Sequence, residues 1–108
     1  MTNQSAGTIS GVGFGIVDGD AEGTLTVINS GAINGTGTVS EGISLFNADT
    51  VNNLSGGTIS GGTVIVSGGT AQINGDGILI AGSGNGLVTN AGTISGGVGL
   101  NRAILYFA

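Results

Sequence analysis

One short phrase recurs four times in this chain, and that recurrence constrains the fold more than any local propensity. Asn90-Ala91-Gly92-Thr93-Ile94-Ser95-Gly96 has the spacing of Asn29-Ser30-Gly31-Ala32-Ile33-Asn34-Gly35. In Asn53-Leu54-Ser55-Gly56-Gly57-Thr58-Ile59-Ser60-Gly61 and Asn3-Gln4-Ser5-Ala6-Gly7-Thr8-Ile9-Ser10-Gly11, two further residues separate the Asn from the Gly-x-Ile core. Apolar strand ends precede three of the copies: Val27-Ile28, Val51 and Leu87-Val88. The unit reads as strand, Asn, glycine corner, short strand, glycine corner. Self-similarity at a spacing of tens of residues is the mark of a stacked repeat.

Composition decides between the folds that glycine could serve. Gly accounts for 25 of 108 residues without a three-residue period and without Pro, which excludes a collagen-like triple helix. Disorder is disfavoured because apolar residues are 39% of the chain and charged residues only 6%. Those apolar residues are largely Ile, Val and Leu in short runs between glycines, the pattern of strands. Only one stretch, Ile43–Ser55, reaches three helical turns without Gly, and essentially no α-helix is expected.

The marker isoleucines at positions 9, 33, 59 and 94 define intervals of 24, 26 and 35 residues. The first two intervals each suit one three-sided coil. The expected strands are Thr8–Ser10, Val12–Val17 and Thr24–Ile28, then Ala32–Asn34, Thr38–Phe46 (bent at Gly42) and Thr50–Val51. The third interval holds Thr63–Val66, Thr70–Asn74, Ile78–Ala81 and Leu87–Thr89, read either as one wide coil or as a coil with an inserted strand pair, the wide coil being preferred. The last copy leads into Val98–Leu100 and the apolar run Ala103–Ala108. The fold expected is all-β: a single parallel β-helix of three to four coils covering residues 1–108, with coils at roughly 8–31, 32–57 and 58–92 and a partial coil at 93–108. Coils spaced about 4.8 Å apart place equivalent residues above one another. Ile9, Ile33, Ile59 and Ile94 then form an internal column, and Asn29, Asn53 and Asn90 a corner ladder in which each amide bonds the next.

Runs such as Leu25–Gly35 and Leu87–Asn101 resemble the passenger-domain repeats of bacterial autotransporter adhesins. The resemblance covers nearly the whole chain, least well Thr63–Ser83. It implies a right-handed parallel β-helix displayed on the outside of a Gram-negative cell, acting as a stalk or adhesive scaffold, with host or cell-surface glycans as the class of target. The export signal and outer-membrane barrel of that family have no counterpart in these 108 residues.

Charge and residue type exclude most chemistry. Net charge is −5, and Arg102 is the one basic residue, so no positive patch for nucleic acid can be assembled. Attachment to anionic membrane surfaces is disfavoured for the same reason, and no apolar run approaches transmembrane length. His and Cys are both absent, which removes the commonest bases, nucleophiles and soft metal ligands, and no catalytic residue or cofactor site is assigned. Six carboxylates remain. Asp18, Asp20 and Glu22 alternate as in the first half of a calcium loop, with Gly23 sixth and Leu25 eighth. The closing acid at the twelfth position is Asn29 and no helices flank the loop, so a solvated corner of like charges is the competing reading. Asp49 and Asp76 lie 16 and 17 residues after their marker isoleucines and could stack on adjacent coils. That arrangement carries the alternative function, a β-helix binding or degrading polysaccharide, which needs a cleft and two carboxyls about 5–10 Å apart. Flat faces covered by Thr, Ser and Asn favour the scaffold instead. A solenoid also leaves unpaired backbone groups at each end, so self-association through open ends is expected.

Overall fold

The computed structural model describes residues 1–19, 23–37, 40–45, 49–62, 76–81, 86–96 and 104–107. Every element among them is a strand: β1 (Thr2–Asn3), β2 (Thr8–Gly11), β3 (Phe14–Val17), β4 (Thr26–Asn29), β5 (Ala32–Gly35), β6 (Glu41–Leu45), β7 (Thr50–Asn53), β8 (Thr58–Ser60), β9 (Ile78–Ala81), β10 (Leu87–Asn90), β11 (Thr93–Ser95) and β12 (Ile104–Phe107). They form three four-stranded sheets, ordered β1-β4-β7-β10, β2-β5-β8-β11 and β3-β6-β9-β12. Every pairing is parallel. The chain visits the first, second and third sheets in turn, and does so four times. Each visit makes one level, from β1-β2-β3 up to β10-β11-β12. This is the arrangement of a β-helix-like fold.

The isoleucine column forms in the expected register. Ile9 pairs with Ile33, Ile33 with Ile59, and Ile59 with Ile94. Its two inner members are completely buried, while Ile9 and Ile94, at the ends, are partly covered. Two further columns line the core, Val27, Val51 and Val88 in the first sheet and Ile16, Ile43 and Ile78 in the third, and the pair Leu45 and Ile80 of the third sheet packs with them. Parallel register repeats the inward residue at every level, so one β-branched choice is reused down the stack. Each such side chain contributes about 1.5–3 kcal/mol of burial.

Several strands differ from the expected ones at their ends. β4, β7 and β10 each run on through their Asn, and β6 spans Glu41–Leu45, with 38–39 and 46 of the expected strand outside the described residues. A strand not anticipated, β1, pairs with β4 through Thr2 opposite Ile28 and Asn3 opposite Asn29. In the third level, β9 takes the place of β6, with Ile78 level with Ile43. The extra length of that level therefore lies between β8 and β9. The strands expected at Thr63–Val66, Thr70–Asn74 and Val98–Leu100 lie outside the described residues.

The register makes a direct prediction. Ile59→Ala removes a side chain from the middle of the column and is expected to lower unfolding free energy by about 2–5 kcal/mol. Thr58→Ala, on the exposed face of the same strand, is expected to change it by about 0.5 kcal/mol or less. Urea denaturation of the two variants measures this; equal losses would overturn the assigned faces.

Candidate functional site

The most developed polar constellation is at the corner between the first and second sheets. There Asn3 Nδ2 donates to Asn29 Oδ1, Asn29 Nδ2 to Asn53 Oδ1, and Asn53 Nδ2 to Asn90 Oδ1, each at 2.8 Å. Each amide nitrogen also faces the carbonyl of its own corner glycine: Gly7, Gly31, Gly57 and Gly92, at 3.1–3.3 Å. The first three reach in addition the carbonyls of Ala32, Thr58 and Thr93 one level on. Asn29 and Asn53 are wholly buried, and Asn3 nearly so. Burying a primary amide is tolerable only when its donors and acceptor are met, and here the stack meets them. Asn3 is the rung that sequence reasoning missed. Its separation from Thr8 equals that of Asn53 from Thr58, which is the signal that could have found it.

The corners come in two lengths that alternate level by level. Gln4-Ser5-Ala6-Gly7 and Leu54-Ser55-Gly56-Gly57 are long corners; Ser30-Gly31 and Ala91-Gly92 are short ones. The long corners close through Gly7 N to Gln4 O and Gly57 N to Leu54 O, both at 2.9 Å. Their third residues, Ala6 at φ 67° and Gly56 at φ 83°, are left-handed. The short corners close through the side chain, Gly31 N to Asn29 Oδ1 and Gly92 N to Asn90 Oδ1, both at 3.2 Å. Each short corner then nests against the long one before it. A Cβ on Gly31 would lie 2.3 Å from Gly7 O, and one on Gly92 would lie 2.2 Å from Gly57 O.

The carboxylates singled out from the sequence are placed apart. Asp49 precedes β7, where its Oδ1 accepts from Leu25 N at 2.7 Å. Asp76 precedes β9 and lies level with Glu41, its carbonyl accepting from Gly42 N at 3.1 Å. Asp49 and Asp76 therefore lie ahead of strands of different sheets and do not stack. Both are completely buried, and Glu41 is 1% exposed. No cleft opens among the described residues. Of the candidate calcium ligands, Asp18 is half-buried just beyond β3, with its N–H donated to Ser44 O at 2.9 Å. Asp20 and Glu22 lie outside the described residues. Among those described, no three metal-binding side chains gather.

The outward surface of the second sheet is the clearest exposed feature. Thr8, Ala32, Thr58 and Thr93 form one row, and Ser10, Asn34, Ser60 and Ser95 the next. Ser60 Oγ donates to Asn34 Oδ1 at 2.8 Å within that second row. Comparison with protein-family models, curated proteins and solved structures finds no match to this chain.

Two predictions test the corner. Asn53→Asp keeps the acceptor for Asn29 but loses every donor, setting a carboxylate against three oxygens; at neutral pH it is expected to lose at least about 3 kcal/mol. Asn52→Asp, half-exposed on the other side of the same strand, is expected to lose about 0.5 kcal/mol or less. For the glycines, a Cβ at Gly57 would lie 2.4 Å from Asn53 Oδ1 and 2.6 Å from Asn29 O, whereas one at Gly56 would meet nothing within 4 Å. Gly56→Ala bears only the left-handed strain of about 1–2 kcal/mol, and Gly57→Ala should be clearly the more damaging in thermal melts.

Proposed function

We propose that this chain forms a right-handed parallel β-helix that serves as a non-enzymatic, surface-displayed stalk or adhesive scaffold of the autotransporter passenger type. The observation that carries this reading is the outward face of the second sheet. It repeats hydroxyl and amide side chains at every level, with Thr8, Thr58 and Thr93 in one row and Ser10, Asn34, Ser60 and Ser95 in the other. Such a surface is wet and flat, and it offers many equivalent hydrogen-bonding groups rather than one concave pocket. Polyhydroxylated partners, such as the glycans of a host or cell surface, suit it by chemistry. Polysaccharide degradation through Asp49 and Asp76 has less support, because both side chains are buried, ahead of strands of different sheets.

Display and chemistry are tested separately. Antibodies against the chain are expected to label intact cells carrying the natural gene, and external protease should remove the label. Labelling only after the cells are opened would overturn surface display. The purified chain is expected to release no reducing ends from a polysaccharide panel. Release that disappears in Asp49→Asn or Asp76→Asn would replace the scaffold with an enzyme.

A further inference from the structure

The two end faces of the stack are complementary to one another, and we propose that copies of this chain associate head to tail in a single register. In that register β1, β2 and β3 of one copy lie on β10, β11 and β12 of the next. The inference rests on strand register and not on cell-surface display, so either can fail alone.

Four observations point to a second copy as the occupant. First, the levels are whole: one end presents β1-β2-β3 and the other β10-β11-β12, one strand from each sheet in the same chain order. Second, the ladder has a direction. Every described rung donates from the lower level to the higher, so it opens on the Oδ1 of Asn3 and ends on the exposed amide of Asn90. Third, the corner lengths alternate long, short, long, short from Asn3 to Asn90. The next corner in the series is long, and the long corner Gln4–Gly7 is what a second copy brings. Fourth, none of the six end strands carries a charged side chain, and the chain contains no Pro and no Lys to block edge pairing.

The backbone bonds of this interface follow from those inside the molecule. Ser30, Leu54 and Ala91 donate their N–H to the carbonyls of Asn3, Asn29 and Asn53, each at 2.8 Å. Ala32, Thr58 and Thr93 donate to Gly7, Gly31 and Gly57 at 2.8–2.9 Å. By the same offsets, Gln4 N of the second copy donates to Asn90 O and its Thr8 N to Gly92 O. Asn90 Nδ2 donates to the second copy's Asn3 Oδ1, and Ile94 is covered by the second copy's Ile9. The net charge of −5 opposes this contact through long-range repulsion, so salt should strengthen it.

The test uses variants that block one end each. Gln4→Pro, with Thr8→Pro as a second choice, removes an N–H needed only at the lower end. Asn90→Asp keeps the acceptor for Asn53 but opposes the second copy's Asn3 Oδ1 with a carboxylate. Far-ultraviolet circular dichroism in dilute solution selects the variants that remain folded. By sedimentation, the wild type should grow in mass with concentration and with salt from its monomer of 10.2 kDa. Each blocked variant alone should stay monomeric, and an equimolar mixture of the two kinds should form a one-to-one dimer and stop there. A wild type that remains monomeric throughout would overturn the proposal. So would a blocked variant that dimerises with itself, which would mean like ends pair, or a mixture that fails to associate.

Discussion

The structure depends on one hydrogen-bonded line, the run of amides from Asn3 through Asn29 and Asn53 to Asn90. In parallel strands this short, a buried face forbids a slip of one residue but not of two, which returns every side chain to the same face. The ladder removes that freedom. A slip of two residues would part each amide from the next and leave its donors unmet in the core, and a buried unmet amide costs several times what a satisfied hydrogen bond contributes. Once the amides are aligned, the isoleucines six places further on in the long corners, and four in the short ones, fall into their column as well.

The apolar columns supply the bulk of the stability, yet they are thin. The wholly buried apolar side chains among the described residues are few and repetitive: Val27 and Val51 in one sheet, Ile33 and Ile59 in another, Ile43, Leu45 and Ile78 in the third. Among the described residues the wholly buried ones lie in the two inner levels, so each added level converts partly covered end residues such as Ile9 and Ile94 into core. In a stack of this kind stability grows with the number of neighbours rather than with the size of any one repeat.

Much of this was legible in the sequence, and the misreadings share a cause. The isoleucine column could be read because each Ile sits immediately after a Gly-x corner, a local distance that does not vary. The rungs at Asn29, Asn53 and Asn90 could be read because apolar strand residues precede them. Asn3 has only Met1 and Thr2 before it, so no strand pattern drew attention to it. Asp49 and Asp76 were brought together by counting from the isoleucines, across corners of unequal length. The added residues of the third level fall between β8 and β9, which moves Asp76 to the start of a third-sheet strand while Asp49 stays at the start of a first-sheet one. Counting is safe along a strand and unsafe across a corner whose length is free.

The alternation of corners gives the stack a parity. Successive levels look equivalent by their strands, but by their corners the true period is two levels, about 9.6 Å along the stack. Gly31 seats against the carbonyl of Gly7, and Gly92 against that of Gly57, so each short corner is shaped by the long one beneath it. Excising a single level would set two long corners or two short ones side by side, a contact with no counterpart among the described levels. Lengthening or shortening such a stack without disturbing its seam is therefore a matter of adding or removing levels in pairs.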